Sequence, residues 1–210
     1  MSFDRIARHY EWIESVVFGA DLQRIRCSHM ETFLRAESIL LLGDGDGRFL
    51  KALLDSRCSA KIICVDSSQR MLKLAESLTK DSGQNIHFVF SKIQDYHLPP
   101  SFIPDVIGAH FFLDCFSEDE ILVILGRISS WCKKQTKLIV SDFSIPEEQS
   151  LGRFIAKVLV WKMIIFFRIF TGISARKLPK IGKLLSKMRY KCLKKVTLRD
   201  GFLCSWIWQL

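Results

Sequence analysis

Short apolar runs recur through the first two thirds of the chain and alternate with longer segments of helical character. The runs begin near residues 39, 62, 86, 105 and 138. Each is rich in Ile, Leu, Val or Phe and too short for a helix, which is typical of a strand buried on both faces. Helices are indicated near residues 47–57, 67–80 and 118–132. This alternation predicts a parallel sheet with crossover helices.

The last third of the chain has a different pattern. Two apolar runs, Tyr190 to Thr197 and Phe202 to Trp208, predict an antiparallel strand pair at a sheet edge. Before them, residues 154–170 are dense in apolar side chains, but this segment is only about 17 residues long and carries three cations, which argues against a membrane span. Helical spacing predicts instead a mostly buried or interfacial helix with one thin polar edge. Residues 175–189 follow as a basic amphipathic stretch.

Composition indicates one globular domain, because 210 residues, of which 49% are hydrophobic, can enclose a sizeable core. The seven cysteines are odd in number and lack Cys-x-x-Cys pairs. We expect them to be reduced core residues, which favours the cytoplasm and no structural zinc. The first twenty residues are charged and amphipathic, which disfavours a signal peptide.

A turn of alternating glycines and aspartates follows the first apolar run: Gly43, Asp44, Gly45, Asp46 and Gly47. Glycine lets the backbone turn tightly and approach a ligand, and the next helix begins with free N–H groups. A strand, a glycine turn and a helix therefore predict a nucleotide-binding site, with an ordinary turn bearing exposed aspartates as the alternative. Arg48 occupies the position where a dinucleotide fingerprint requires Gly or Ala, and no Lys-Ser/Thr pair of a phosphate loop follows.

The Gly-x-Gly-x-Gly spacing resembles the first motif of class I S-adenosylmethionine-dependent methyltransferases. The resemblance implies that the loop wraps the amino acid and ribose parts of the cofactor, whose sulfonium and ammonium cations suit acidic neighbours. Asp66 ends the second run, 19 residues after Gly47, where a carboxylate can accept hydrogen bonds from both ribose hydroxyls. Capping of the next helix is the alternative role. Ser67, a candidate N-cap, and Met71 are further candidate cofactor contacts in the same segment.

Two later segments follow in the order that the resemblance implies. Methyltransferases of this class often hold the adenine edge with an acidic and a small residue after the third strand. The matching positions here are Lys92 and Ile93, so adenine recognition is expected to use the backbone N–H of Ile93, with Asp95 substituting for the missing acidic residue. Residues 104–114 resemble the fourth motif, a strand that ends beside the cofactor's methyl group.

The N-terminal segment, residues 3–12, resembles the start of small-molecule methyltransferases related to the quinone and sterol enzymes. In those enzymes an aromatic residue covers the cofactor. By that resemblance Tyr10 is a candidate lid residue, with simple packing on the domain as the equal alternative.

Catalysis by this family requires an acceptor held in line with an activated methyl group, and a base helps where the acceptor carries a proton. His110 is the first candidate base because it lies at the carboxyl end of the fourth strand. Asp114 would orient it if the chain is helical there, and Asp142 at the end of the fifth strand is the third candidate. The alternative is that these residues only cap the strand and the next turn.

Charge is distributed unevenly along the chain. Residues 151–210 contain 14 Lys and Arg and one acidic residue, whereas the first 150 residues contain 17 basic and 21 acidic residues. The basic tail has three possible functions: it covers a pocket for an apolar substrate, it lies on anionic lipid, or it binds RNA. An ordinary solvated basic face is the plain alternative. His110-Phe111-Phe112 differs from the Asn/Asp-Pro-Pro-Tyr of amine-methylating nucleic-acid enzymes, so nucleic acid is the least favoured partner.

These observations predict an α/β protein with a doubly wound, Rossmann-like sheet of seven strands, mostly parallel with an antiparallel C-terminal edge and flanked by helices. Residues 1–35 are expected to form a helical lid, 36–145 the cofactor-binding core, and 146–210 a basic, apolar cap with the final strand pair. The predicted function is methyl transfer from S-adenosylmethionine to a small apolar or lipid-like acceptor, in the cytoplasm or peripheral to an anionic membrane. The alternatives are a cofactor-binding protein without transfer activity and an RNA methyltransferase; an NAD-dependent oxidoreductase is disfavoured by Arg48.

Overall fold

The computed structural model describes residue 4 and residues 18–84, 86–146 and 151–210, without the side chains of residues 151–153 and 155. Tyr10 and part of the predicted N-terminal lid therefore lie outside the described residues. The predicted division into lid, core and cap is not tested by the structure and stays a prediction.

One seven-stranded sheet forms the centre of the protein, in the order β3-β2-β1-β4-β5-β7-β6. Its strands are β1 Ser38–Leu42, β2 Lys61–Asp66, β3 Ile86–Phe90, β4 Val106–His110, β5 Lys137–Phe143, β6 Lys191–Leu198 and β7 Leu203–Gln209. The first five strands pair in parallel, and β7 pairs antiparallel with both β5 and β6. The predicted doubly wound sheet with an antiparallel C-terminal edge is confirmed.

Helices cover both faces of this sheet. Their bounds are α1 Asp21–Arg26, α2 Met30–Leu34, α3 Arg48–Asp55, α4 Gln69–Thr79, α5 Glu118–Trp131, α6 Leu151–Thr171 and α7 Ile181–Lys187. On one face α5 and α7 pack against Leu40, Leu42 and Ile107, and on the other α2 and α3 pack against Ile39 and Leu41. Successive residues of a strand point to opposite faces, so β1 contributes to two cores and its sequence is continuously apolar.

Local sequence determines where two of these helices begin. Ser117 and Glu120 form the predicted capping box of α5, with each side chain bonded to the other residue's backbone N–H. For α4 the predicted N-cap Ser67 is wrong by one residue. Ser68 caps the helix, because its Oγ accepts from the N–H of Met71 at 3.2 Å.

Helix α6 packs at the carboxyl end of β5 through one of its faces. Ala156 and Val160 are buried there against Phe143 and Leu203. The prediction of a mostly buried helix with one thin polar edge is wrong in its distribution of side chains, because large apolar residues also occupy the exposed face, with Trp161 63% exposed. No helix among the described residues is long and apolar enough to cross a bilayer.

The turn between β1 and α3 depends on close packing at Gly47. This residue has φ +82°, and a Cβ built on it would lie 2.6 Å from the Cβ and 2.7 Å from the Cα of Ala75 in α4. Glycine is therefore required both by the left-handed backbone and by the contact between the turn and α4.

We expect Gly47→Ala to lower the free energy of unfolding by about 2–4 kcal/mol, since it combines steric overlap with a left-handed backbone conformation. Gly126→Ala is the matched control, because a Cβ at this position in α5 meets no atom within 4 Å. The control should gain roughly 0.5–1 kcal/mol from helix propensity. Urea unfolding of both variants measures the difference, and equal stability of the two would contradict the role given to Gly47.

Candidate active site

A cavity opens at the carboxyl ends of β1 to β4, the edge of a parallel sheet where ligands bind in such folds. Its volume is about 390 Å³, within the range of small-molecule sites. One side of the cavity is formed by the glycine turn and by residues at the ends of β2 and β3. The other side is formed by residues that follow β4 and residues that follow α6. The lining residues that the sequence predicted are Gly43, Gly45, Asp66, Ser67, Met71, Lys92, Ile93 and Asp95.

The glycine turn supplies backbone that faces the cavity. Gly45 has φ +66°, and a Cβ built on it would meet no atom within 4 Å, so the space next to its Cα is open to a ligand. A Cβ at Gly43, with φ +62°, would lie 2.3 Å from Cδ2 of Phe112. Gly43 therefore permits the Phe112 ring to close over the turn, while Gly45 leaves space beside the ring.

Asp66 connects the turn to α4. Its Oδ2 accepts from the N–H of Gly45 at 3.2 Å and its Oδ1 accepts from the N–H of Ser68 at 2.8 Å. Each carboxylate oxygen has a second lone pair, so both oxygens can still accept from a ligand's hydroxyls. Burial raises the pKa of Asp66 to about 6, although the backbone donors act against this shift. The carboxylate is thus fixed in position and ionised at neutral pH.

The segment after β3 closes one end of the cavity. The N–H of Ser91 donates to the carbonyl of Asp66 at 3.0 Å, which fixes this segment beside the end of β2. The N–H groups of Asp95 and Tyr96 both donate to the carbonyl of Lys92 at 3.0 Å, so residues 92–96 form a tight turn. Ile93 is buried, whereas the side chains of Lys92 and Asp95 are exposed at the rim.

Aromatic rings form the opposite wall, which sequence reasoning did not predict. Phe111, Phe112 and Phe116 line the cavity, and the rings of Phe112 and Phe116 meet edge to face at 5.1 Å between centroids. Phe111 has φ +51°, an unusual conformation for a bulky residue. Its N–H donates to Ser141 at 2.7 Å and its ring lies 5.0 Å from the Arg26 guanidinium, so tertiary contacts hold the turn.

Residues from the C-terminal third complete the cavity. Gly172 and Ser174, just after α6, line it together with Glu120 and Cys115. The Ser174 hydroxyl donates to the Glu120 carboxylate, which also accepts from the N–H of Ser117 at 2.9 Å. These hydrogen bonds lower the pKa of Glu120 and outweigh the effect of burial. The end of α6 is therefore hydrogen-bonded to the start of α5 across the edge of the cavity.

His110, the first candidate base, is not among the residues that line the cavity. Its assignment as a base stays a prediction, which the position of its ring disfavours. Its ring lies against Phe49, with 4.4 Å between ring centroids, on the face of the sheet that α3 covers. Its Nδ1 is 2.8 Å from Oγ of Ser141. Burial lowers the pKa of His110 to about 3, so the imidazole is neutral and buried. Because side chains alternate along a strand, the last residue of β4 faces the core while the chain beyond it turns into the cavity wall.

Asp114 and Asp142 lie behind the cavity wall rather than in it. Asp142 is fully buried, and its Oδ2 accepts from the N–H of Asp114 at 3.2 Å. Burial, followed by the neighbouring Asp114 carboxylate, raises the pKa of Asp142 well above its usual range. The two side chains are hydrogen-bonded to each other, which requires one proton between them. Asp114 in turn accepts from the Cys115 thiol at 3.5 Å, so the pair supports a residue of the cavity wall.

The remaining predicted residues support the turn instead of lining the cavity. Oδ2 of Asp44 accepts from the N–H of Leu50 at 3.2 Å and so satisfies a free donor in the first turn of α3. Burial raises the pKa of Asp44 to about 7. Asp46 binds Nε of Arg48 through both carboxylate oxygens, at 3.0 and 2.9 Å. Gly47 contacts Ala75, as described above.

Sequence signals existed for some of the residues that were missed. Three phenylalanines within six residues at the end of a predicted strand indicate an apolar wall, since the strand end is where ligands lie. Glu120 was recognised only as part of a capping box. Gly172 and Ser174 have no local signal, because their place at the cavity depends on where α6 returns the chain.

The neutral, buried state of His110 predicts a pH dependence of stability. Its pKa is lower in the folded protein than in the unfolded chain, so the unfolded chain binds the proton more tightly, and stability is lost as pH falls from about 6.5 towards 3. In His110→Gln this contribution disappears. We expect the free energy of unfolding of this variant, measured by urea at pH 7 and pH 4.5, to fall by roughly 2 kcal/mol less than that of the wild type, because pH 4.5 lies about two units below the ordinary pKa of histidine.

The exposed His97 gives the matched control. His97→Gln should keep the wild-type dependence of stability on pH. If His110→Gln also keeps it, the imidazole is not buried in its neutral form, and its exclusion from the cavity fails.

Comparisons with known proteins bear on the family and the fold. The family model described as a methyltransferase domain matches residues 39–135. No curated protein sequence matches the chain. Among solved structures, the mitomycin 7-O-methyltransferase MmcR is 17% identical with a TM-score of 0.71, over 100% of this chain and 60% of that one. An O-methyltransferase family 2 protein from Planctomyces limnophilus in complex with apigenin is 13% identical with a TM-score of 0.69, over 97% and 61%.

Human N-acetylserotonin methyltransferase in complex with SAM is 15% identical with a TM-score of 0.70, over 97% of this chain and 55% of that one. The chain thus spans between 55% and 61% of the length of these three structures. At this level of identity the likeness shows the fold alone. Residues 39–135 therefore match the family model of a methyltransferase domain, and the chain has the Rossmann-like fold of methyltransferases.

Proposed function

We propose that this protein transfers a methyl group from S-adenosylmethionine to a small, apolar acceptor. One observation carries the proposal: a single cavity has a glycine turn and a fixed carboxylate on one side and an aromatic wall on the other. The first half suits a nucleoside with cationic groups, and the second suits an apolar molecule. A site for one ligand alone would not require both.

The residues on the polar side fit S-adenosylmethionine. The open space at Gly45 allows a ligand to approach the backbone, and Asp66 offers a free lone pair on each oxygen for the ribose hydroxyls. Lys92, Ile93 and Asp95 lie at the end where the adenine is expected. The solved human structure of the same fold contains this cofactor. When bound, S-adenosylmethionine supplies a methyl group already activated by its sulfonium.

The aromatic side would hold the acceptor and exclude water. Phe111, Phe112 and Phe116 offer apolar ring surfaces to a flat or apolar molecule. The Planctomyces limnophilus structure of this fold is a complex with apigenin. Glu120 at this end has a lowered pKa and is therefore a weak base, and its Oε2 already accepts three hydrogen bonds that fix the side chain in position. No histidine is found among the described residues that line the cavity. We therefore expect an acceptor that loses its proton readily, such as a phenol or a thiol.

A second candidate function is cofactor binding without methyl transfer. None of the three predicted catalytic residues lines the cavity, and the acidic adenine contact is replaced by Lys92. A binding protein would need the polar side of the cavity but no productive acceptor pose on the aromatic side. The two candidates share the cofactor and differ in turnover.

Cofactor binding is tested by isothermal titration with S-adenosylhomocysteine. We expect Asp66→Asn to weaken binding roughly 10- to 100-fold, since a charged acceptor of two hydroxyl donors is replaced by a neutral amide. Wild-type affinity should fall as pH drops below about 6, where Asp66 gains a proton, and the variant should lack this dependence. Asp44→Asn is the matched control and should keep both the affinity and its pH dependence, because Asp44 faces α3.

Absence of binding by the folded wild type would remove the proposed function. Equal loss in the Asp44 and Asp66 variants would show that the charge of the whole turn, rather than the position of Asp66, determines affinity.

Methyl transfer is tested with S-adenosylmethionine carrying an isotopic label in its methyl group. We expect the wild type to label a small apolar molecule in a lipid and phenol extract, detected by mass spectrometry, and Phe116→Ala to reduce labelling while S-adenosylhomocysteine affinity is kept. Cofactor binding without any labelled product would favour the binding protein.

A further inference from the structure

We propose that the exposed face of α6 docks on the surface of an anionic bilayer. Five large apolar side chains form this face and are hereafter called the α6 stripe. They are Phe154, Val158, Trp161, Ile165 and Ile169, exposed by 65%, 37%, 63%, 37% and 66%. Scattered apolar side chains are normal on a protein surface, but a continuous stripe on one helix marks an interaction site.

The stripe follows the helix geometry. At 100° per residue its five members fall within about 80° of one another, and with a rise of 1.5 Å per residue they extend over roughly 22 Å. The opposite face of α6 is already used, since Ala156 and Val160 are buried against Phe143 and Leu203. The helix is therefore apolar on two sides, and among the described residues the domain packs against only one of them.

The cations beside the α6 stripe indicate which kind of surface it binds. Lys157 and Arg168 flank the stripe on one edge and Lys162 on the other, and all three are exposed. No Asp or Glu occurs between residues 151 and 199. Long cationic side chains beside an apolar stripe can place their charges among lipid phosphates while the stripe enters the acyl boundary. Each such cation strengthens binding to anionic lipid roughly fivefold.

The same charges disfavour a second copy of this chain. Two α6 stripes packed together would bring six cations into one apolar interface with no acidic partner from either helix. An anionic bilayer instead supplies the opposite charge and an apolar layer together. Since α6 does not qualify as a spanning helix, it would lie in the plane of the interface.

The docked helix would stand next to the cavity. Gly172 and Ser174, directly after α6, line the cavity, so an apolar molecule in the bilayer would have a short path to the aromatic wall. This delivery of acceptor rests on the proposed methyl transfer, whereas the docking surface rests only on α6. The two can therefore fail separately.

Vesicle flotation tests the docking surface with the whole chain. We expect binding to vesicles of equal parts phosphatidylcholine and phosphatidylglycerol, weakened by added salt, and at least tenfold weaker binding to phosphatidylcholine alone. Lys157→Gln with Lys162→Gln should weaken binding about 25-fold. Lys133→Gln with Lys134→Gln removes the same charge from the far end of β5 and is the matched control, expected to bind within about twofold of the wild type.

Insertion of the stripe is tested by tryptophan fluorescence with brominated phosphatidylcholine in the anionic vesicles. Wild-type emission should be quenched, and Trp161→Phe should bind equally but lose most of the quenching. Trp161→Ser with Ile165→Ser should weaken binding roughly 100-fold. Because both side chains are exposed, an unchanged circular dichroism spectrum is expected and confirms the fold.

Equal binding by the stripe variants and the wild type would overturn the proposal. So would a wild-type dimer in light scattering that the serine variant dissociates, without any vesicle binding. Vesicle binding without S-adenosylhomocysteine binding would leave the docking surface standing and refute the proposed function.

Discussion

The structure depends on a turn of left-handed glycines that lets three other parts of the chain meet. Gly47 allows Ala75 of α4 to approach, Gly43 allows the Phe112 ring to approach, and Gly45 donates to Asp66. A side chain at the first two positions would separate the turn from α4 or from the aromatic wall. The shape of the cavity therefore depends on backbone geometry at these three glycines, and its other lining residues determine which chemical groups face a ligand.

The aspartates around the cavity differ in what neutralises or holds their charge. Asp66 is held by two backbone donors and faces the cavity, whereas Asp44 and Asp46 are used by α3 and Arg48. Asp142 shares a proton with Asp114 behind the wall. Of these five aspartates, Asp66 alone presents a negative charge to the cavity, which fits the proposed binding of a sulfonium cation without a cluster of uncompensated charge.

The sequence was sufficient for the sheet and the polar half of the cavity, because strand periodicity and glycine spacing are local properties. It was insufficient where the outcome depends on direction. His110 was placed at the correct end of β4, but strand alternation turns its ring to Phe49, and a local pattern cannot tell which face the chain will use. Glu120, Gly172 and Ser174 meet only after α6 crosses the carboxyl end of the sheet, so their association is tertiary. Tyr10 and the three-part division of the chain stay predictions.

The hydrogen bond between Ser174 and Glu120 joins the two halves of this arrangement. It fixes the end of α6, with its basic and apolar surface, to the capping box of α5, and both residues line the cavity. Because a packed interior transmits displacement rather than absorbing it, a force on α6 would change the cavity edge before it changed the glycine turn. The polar side of the cavity rests on the ends of β1 to β3, whereas the opposite side is completed by Gly172 and Ser174, directly after α6, a helix whose exposed face is apolar. That asymmetry would suit the proposed methyl transfer, in which the donor is always the same molecule and the acceptor must enter and leave.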